Sequence, residues 1–270
     1  MPVEQKLQKL KEILLSYRKV AVAFSGGVDS SLLCSVAREV LGEEAVAITV
    51  VSPMLPQSER EGAASVAAMI GIRHILFEDN EIEEMVAQNP KNRCYHCKKV
   101  EFGNILKTAG GLGIEILVEG SNIDDLSDYR PGLLATKELG VRSPLREAGL
   151  TKDEIRGISQ TRGLPTWNKP AFACLASRIP YGERINTAKL GRIEAAEDSL
   201  RQRGFVQFRV RSHGDTARIE VAPEERTKFF DAALMDQISK EIKSAGFLFV
   251  SLELEGYKMG NLNRTLKNGK

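Results

Sequence analysis

The sequence lacks the features that would commit it to a membrane, to secretion or to nucleic acid. No apolar run reaches the ~18 residues needed to span a bilayer. The opening Met1-Pro2-Val3-Glu4-Gln5-Lys6 has no basic stretch followed by a long apolar core, as a secretory signal would. These two absences predict a cytoplasmic protein. Among the 270 residues, 38 Lys and Arg stand against 36 Asp and Glu, leaving a formal net charge of +2. Bulk charge therefore makes no case for a nucleic-acid binder. The basic end, Asn263 to Lys270, reads as a solvated tail. Cysteine is scarce: Cys34, Cys94, Cys97 and Cys174. In a reducing compartment such a set argues for metal or redox chemistry over disulfides. There is no internal repeat and no low-complexity segment.

What is present is an ordinary globular composition, 42% hydrophobic and 27% charged. The length allows one large domain or two modest ones. Helical spacing of Leu7, Leu10, Ile13 and Leu14 predicts an amphipathic helix over 4–17. Apolar strands follow at Lys19 to Phe24, Ala45 to Val51, Arg73 to Phe77 and Glu115 to Glu119. Helices are predicted between them: Ser30 to Leu41 stopped by Gly42, Gln57 to Ile70 closed by Gly71, Ile82 to Gln88, and Val100 to Ala109. Thr151-Lys152-Asp153-Glu154 is a capping box opening a further helix. This alternation predicts an α/β domain with a doubly wound parallel sheet over 1–165, binding ligands at the carboxyl ends of its strands. Residues 166–185 read as a linker carrying Cys174 and Ser177-Arg178. Residues 186–270 read as a small α+β domain for substrate binding or oligomerisation. Its predicted elements are a helix over Thr187 to Arg203, strands Gln207 to Arg211 and Ala217 to Val221, a long helix Glu224 to Ala245, and a strand Phe247 to Leu254.

The first strand runs directly into Ser25-Gly26-Gly27-Val28-Asp29-Ser30 and then a helix. Unpaired N–H groups and the helix dipole favour an anion there. Gly26 and Gly27 permit unusual backbone angles and close phosphate approach. Ser25 and Ser30 offer hydroxyls, and Asp29 is a hard carboxylate suited to Mg2+ on released pyrophosphate. No Gly-Lys-Ser/Thr follows, which argues against a Walker loop and γ-phosphate transfer. Ala47 and Thr49 on the second strand, Gly120, Ser121, Asn122 and Asp124 after the fourth, and Arg142-Ser143 are further candidates for a nucleotide pocket. Each of these is weaker than the loop.

Cys94-x-x-Cys97 has a spacing that suits a metal or a cluster. With Cys174, three thiolates can hold three irons of a 4Fe-4S cluster and leave the fourth open for hydrosulfide. Two other readings stay open: a structural zinc site using His96, and a Cys94/Cys97 redox pair that shuttles persulfide. Cys34, on the helix after the loop, reads as a small buried hydrophobe.

The loop resembles that of the PP-loop ATP pyrophosphatases, which implies adenylate formation with pyrophosphate release. The ordered set of Ser25 to Ser30, Glu119-Gly120-Ser121-Asn122, Cys174-Leu175-Ala176-Ser177-Arg178-Ile179-Pro180-Tyr181-Gly182, Arg209-Val210-Arg211-Ser212-His213-Gly214-Asp215 and Leu254-Glu255-Gly256-Tyr257 resembles the LarE family over nearly the whole chain. These are sulfur transferases that help build the nickel-pincer cofactor of lactate racemase. The resemblance implies ATP and Mg2+ as cofactors, with ATP held by Ala23, Ser25, Gly26, Gly27, Asp29, Ser30, Thr49, Gly120 and Arg142. It implies a substrate, pyridinium-3,5-biscarboxylic acid mononucleotide, one carboxylate of which is adenylated and converted to a thiocarboxylate. Ser177, Arg178, Glu197, Arg209, Arg211 and Glu220 match family positions near that substrate. Arginines can pair bidentately with its anionic groups. Some members take the sulfur from their own cysteine, here Cys174. Members with three cysteines are thought to use a 4Fe-4S cluster, and Cys94, Cys97 and Cys174 match that type. A tRNA-thiolating enzyme with a similar cysteine set is the alternative. Further implied are a homo-oligomer, with a hexamer suggested, and no nucleic-acid or membrane partner. The sulfur source and the downstream nickel-insertion protein stay open.

Overall fold

The computed structural model describes residues 1–127, 132–170, 173–258 and 260–263. In chain order the elements are α1 (Val3–Tyr17), β1 (Val20–Ala23), α2 (Val28–Leu41), β2 (Ala45–Val51), α3 (Gln57–Ile70), β3 (Arg73–Glu78), α4 (Glu84–Ala87), α5 (Arg93–Gly110), β4 (Leu117–Val118), α6 (Gly132–Glu138), α7 (Pro144–Glu147), α8 (Lys152–Thr161), α9 (Thr187–Gln202), β5 (Phe208–His213), β6 (Thr216–Val221), α10 (Ala232–Ser244) and β7 (Phe249–Leu252). The chain divides into two units, residues 1–83 with 92–172, and residues 84–91 with 173–270. The stretch 166–185 is split between them, so Cys174, Ser177 and Arg178 belong to the second unit. Ala171, Phe172 and the basic tail from 264 lie outside the described residues.

The first unit is built on a four-stranded sheet in the order β3-β2-β1-β4. All its pairings are parallel. Alternation along β1 and β2 sends side chains to two apolar layers. Val20, Val22 and Ala47 join Leu10 and Leu14 of α1, Leu32 and Val36 of α2, and Ile155 of α8. Ala21, Val46 and Ile48 meet Phe102, Ile105 and Ala109 of α5 on the other side. Burial on both faces explains why these strands read as continuous apolar runs.

Two local expectations for this unit need correction. Helix α5 starts at Arg93, not Val100, so Cys94 and Cys97 are helical. Apart from Arg93, its buried positions begin only at Phe102, so most of the first turns carry no apolar period to read. Strand β4 is only Leu117–Val118. The chain turns at Glu119, whose carboxylate accepts from the Ser121 N–H at 3.1 Å and the Ser121 hydroxyl at 2.7 Å.

The second unit carries a three-stranded sheet in the order β5-β6-β7. Strands β5 and β6 form an antiparallel hairpin that sets Arg209 opposite Glu220 and Arg211 opposite Arg218. Strand β7 returns parallel to β6. The expected long helix over 224–245 is a 3-10 turn, Pro223–Phe230, followed by α10. The break falls at Asp231, whose carboxylate accepts from the N–H groups of Ala233 and Leu234 at 2.9 and 3.3 Å, an N-cap in mid-segment.

The excursion 84–91 is stitched to the loop before α9. Asn89 is fully buried at φ 54°. Its side-chain amide donates to the carbonyls of Ile179, Pro180 and Glu183 at 3.3, 2.7 and 3.1 Å. Gly182 N–H donates back to the Asn89 carbonyl at 2.8 Å. Among the described residues, no helix is long and apolar enough to cross a membrane.

Candidate active site

The glycine loop is held open from both sides. Gly26 has φ 67°, and a Cβ placed on it would lie 2.9 Å from both Cα and Cβ of Ala63 on α3. Only glycine meets both demands. Gly27 takes the N-cap position of α2, so the first N–H groups of that helix are directed at the loop. The Ser25 and Ser30 hydroxyls lie 3.1 Å apart, and the Ser30 hydroxyl also donates to the Gly27 carbonyl at 3.3 Å. Gly120 closes the far side: a Cβ there would be 3.1 Å from the Ser30 nitrogen and 3.2 Å from Asp29 Cβ. Ala23, the last residue of β1, leads into this cradle. The arrangement is a backbone nest able to take phosphate oxygens.

The side chains around the loop are already interlocked. Asp29 Oδ1 accepts from the Asn122 amide at 3.1 Å, and Oδ2 accepts from the Lys152 ammonium. Lys169 donates to the Gly26 carbonyl at 3.1 Å and to Glu59 at 2.8 Å. No local sequence signal marks either lysine as a site residue, because both reach the loop from distant segments. Thr49 donates its hydroxyl hydrogen to the Phe24 carbonyl at 2.6 Å. It therefore accepts from His74 Nε2 at 2.8 Å. Burial pushes the His74 pKa down, keeping the ring neutral at pH 7. Thr49 thus braces the strand end below the loop. Arg142 pairs with both carboxylate oxygens of Glu147 at 3.1 and 2.8 Å and stacks over Tyr17 at 5.4 Å. Its charge is committed there. The buried Glu119 carboxylate also accepts from Ser143, tying the Gly120-Ser121-Asn122 turn to α7.

Cys94 and Cys97 lie one turn apart on α5, so their thiols share a helix face. That fits two thiolate corners of a cluster. His96, two residues from Cys94, is turned away from that face. It stacks edge-on with Tyr95 at 5.2 Å and contacts the Asn92 amide at 3.2 Å. Cys174 is carried by the second unit. Among the described residues, no group of three or more His, Cys, Asp or Glu side chains is close enough to hold a metal ion. Cys94 and Cys97 thus belong to one unit and Cys174 to the other. Cys34 is fully buried on α2, and burial pushes its thiol pKa up, as a structural cysteine requires.

In the second unit, Arg178 is a clasp. Its side chain is fully buried against Glu197, with bidentate bonds of 2.8 and 2.9 Å. Its remaining nitrogen donates to the carbonyls of Ala173 and Cys174 and to the Ser177 hydroxyl. The backbone bearing Cys174 is thereby fixed. Glu197 also accepts from the Val210 N–H at 2.9 Å, joining α9 to β5. Arg211 bonds Glu220 at 2.8 Å and the Ser177 carbonyl at 2.9 Å. Arg218 bonds the other oxygen of Glu220 at 2.9 Å. Among the described residues, the buried Nε atoms of Arg211 and Arg218 have no hydrogen-bond partner. Arg209 stacks over Tyr257 at 5.1 Å, and burial and the nearby Arg178 lower its pKa.

Arg178, Arg211, His213, Arg218, Glu253 and Asn261 line a cavity of about 210 Å³. Burial, then Arg218, pushes the His213 pKa down. Guanidinium groups lining a cavity favour an oxyanion ligand. Sequence reasoning assigns no site role to His213 or Arg218. The pairing of β5 with β6 is what brings Arg218 beside Arg211.

A family description for asparagine synthase matches residues 6–93. An uncharacterized protein of Synechocystis sp. is 46% identical over 265 residues, covering 98% of this chain and 99% of its own length. The pyridinium-3,5-bisthiocarboxylic acid mononucleotide synthase of Lactiplantibacillus plantarum is 36% identical over 255 residues, 94% of this chain and 92% of its own. A tRNA-specific 2-thiouridylase, MnmA, of Pelobacter propionicus is 30% identical over 187 residues, but these make up 56% of this chain and 52% of its own.

Proposed function

We propose a function on one premise: the chain belongs to the LarE family, that of the pyridinium-3,5-bisthiocarboxylic acid mononucleotide synthase. It has the PP-loop ATP pyrophosphatase fold and is an ATP-dependent sulfurtransferase. In finer terms, it adenylates a carboxylate of pyridinium-3,5-biscarboxylic acid mononucleotide and converts it to a thiocarboxylate, in the making of the nickel-pincer cofactor. In the first step a carboxylate oxygen attacks the α-phosphorus of ATP, the bond to the β-phosphate breaks and pyrophosphate leaves. In the second, sulfur attacks the acyl carbon and AMP leaves. The loop of Ser25 to Ser30 holds the phosphates, with Asp29 offered to Mg2+.

The observation that carries the acceptor is the convergence of three arginines, Arg178, Arg211 and Arg218, on the lining of one cavity. An anionic nucleotide in that cavity meets their positive charge. Arg178 and Glu197 position the Cys174 backbone, while Arg209, Arg211 and Ser177 face the substrate, with Glu220 orienting Arg211. The acceptor is a small molecule, and the working form is a homo-oligomer in the cytoplasm. For the sulfur, Cys94, Cys97 and Cys174 serve as ligands of a 4Fe-4S cluster. Such a cluster, when bound, presents one iron without a protein ligand, where hydrosulfide can be carried.

Anaerobic incubation with ATP, Mg2+, sulfide and the mononucleotide is expected to release pyrophosphate only when the mononucleotide is present, and to exchange one oxygen of it for sulfur by mass. Release that depends on tRNA instead would overturn the acceptor. Reconstitution with iron and sulfide is expected to give a broad visible absorption that Cys94→Ala, Cys97→Ala and Cys174→Ala each abolish. Intact absorption in all three variants would remove the ligand assignment. A protein mass reduced by one hydrogen sulfide after turnover would mark Cys174 as the donor itself.

A further inference from the structure

Strands β5 and β6 give the second unit's sheet two unlike faces. Phe208, Val210, Ala217, Ile219 and Val221 alternate to one side and are buried. Arg209, Arg211 and His213 stand on the other, with Glu220, Arg218 and Thr216 opposite them in that order. The turn that ends this row is fixed from α9. Arg192 donates to the buried Ser212 hydroxyl at 2.8 Å and to the Gly214 carbonyl at 2.5 Å. Its guanidinium also lies 4.4 Å over the Phe247 ring. His213 sits between those two hydrogen bonds. Its backbone is therefore held, while its side chain is exposed at the rim of the cavity that Arg211 and Arg218 line.

The fixed charges of that lining already cancel. Arg178 is paired with Glu197, Arg211 with Glu220, and Arg218 with Glu220 and, at 3.4 Å, with Glu253. Three guanidinium groups thus stand against three carboxylates. An arginine keeps its proton whatever enters, so it has no further charge to offer. Imidazole is the side chain whose ordinary range puts a charge change near neutral pH, and His213 supplies one. Burial, then Arg218, favours the uncharged ring before a ligand arrives. Arg211 acts in the same direction, while Glu183 and Glu220 oppose it. Glu183 is itself paired with Lys189 at 2.6 Å.

We propose that His213 is a further binding residue of this cavity, taking one proton from solvent as a doubly charged oxyanion enters and donating a charge-assisted hydrogen bond to it. No covalent bond of the ligand changes; one proton passes from water to a ring nitrogen. The phosphate monoester of a mononucleotide and inorganic sulfate share this chemistry. The field of the anion opposes that of Arg218, so the occupied ring keeps its proton to a higher pH than the empty one. Affinity therefore rises as pH falls through the midpoint of the occupied ring, and levels off below that of the empty ring. Each pH unit between the two midpoints is worth about tenfold in affinity. A dianion is thereby favoured over a monocarboxylate, whose weaker field charges the ring less. This role rests on the reading of the cavity as an anion site; the glycine loop and ATP do not enter it.

The test uses the full chain and sodium sulfate, an anion that does not titrate near neutral pH, with ionic strength matched by sodium chloride. The chain has three histidines, so their ring signals are few enough to resolve by NMR. That of His213 is the one missing from His213→Gln. Saturating sulfate is expected to raise its titration midpoint by about one unit, and to leave those of His74 and His96 in place. Calorimetry near neutral pH in two buffers of different protonation enthalpy is expected to show proton uptake on binding, absent from His213→Gln. That variant is expected to bind sulfate about tenfold more weakly than the unsubstituted protein at about pH 6, and as well at about pH 8. Arg218→Gln reports whether the anion sits in this cavity. Sulfate binding that Arg218→Gln weakens, with an unmoved His213 midpoint, would overturn the role of His213 alone. Binding that Arg218→Gln leaves unchanged, or no binding at all, would sink the anion reading of the cavity, and the role of His213 with it.

Discussion

Gly26→Ala is expected to lower pyrophosphate release by about 100-fold or more while the chain stays folded. Two separate demands meet at this residue. Its φ of 67° costs a side chain about 1–2 kcal/mol. The added Cβ would also lie 2.9 Å from the Cα of Ala63, a backbone atom that no rotamer change can move aside. The loop must shift instead, and it carries the N–H groups that face the phosphates. Gly42→Ala separates the two demands. Gly42 has φ 57° at the end of α2, and a Cβ added there would meet nothing within 4 Å among the described residues, so its substitution is expected to cost stability alone. Adding Ala63→Gly to Gly26→Ala removes the contact with Ala63 Cβ but leaves that with Cα, so activity is expected to return only in part. Pyrophosphate release and the thermal midpoint of these variants and the unsubstituted protein check this. Full activity in Gly26→Ala would mean that the loop does not need its shape.

The glycine loop was legible because everything that shapes it is local: an apolar strand, two glycines, two serines and a helix. The capping box at Thr151 was legible for the same reason. What escaped the sequence was reached through space. Lys152 lies one residue into a helix whose start was evident, yet its meeting with Asp29 depends on how α8 packs beside α2. Lys169 comes from a stretch read as linker. Arg218 matters because the β5–β6 register sets it opposite Arg211, and a strand pattern alone does not give the register. The excursion 84–91 left no mark in composition. Its only signature is Asn89, a buried left-handed residue whose amide bonds three carbonyls about ninety positions away. The start of α5 was hidden by its polar opening turns, so the helical placement of Cys94 and Cys97 emerged only from the fold. The motif spacing could be read, but the element carrying it could not.

The second large effect is expected at Glu197. Glu197→Ala leaves the Arg178 guanidinium, whose side chain is fully buried, without its counter-charge. Breaking one partner of a buried pair costs about 3–5 kcal/mol, because the charge left behind stays desolvated. The Val210 N–H also loses its acceptor. This is a large fraction of the stability of an ordinary domain. The denaturant midpoint of the second unit is therefore expected to fall sharply, and the first unit by itself has no reason to follow.

The double variant Arg178→Met, Glu197→Leu distinguishes stability from positioning. Removing both charges together ends the desolvation cost, so much of the lost stability should return. The return cannot be complete, since Arg178 also serves the carbonyls of Ala173 and Cys174. Without that clasp the backbone bearing Cys174 is no longer fixed, and sulfur transfer is expected to stay low even where folding recovers. Pyrophosphate release should suffer less than thiocarboxylate formation, because the glycine loop belongs to the other unit. A double variant that recovered both stability and sulfur transfer would show that the pair serves only the fold. One that stayed as unstable as Glu197→Ala would show that the buried charge was not the source of the loss.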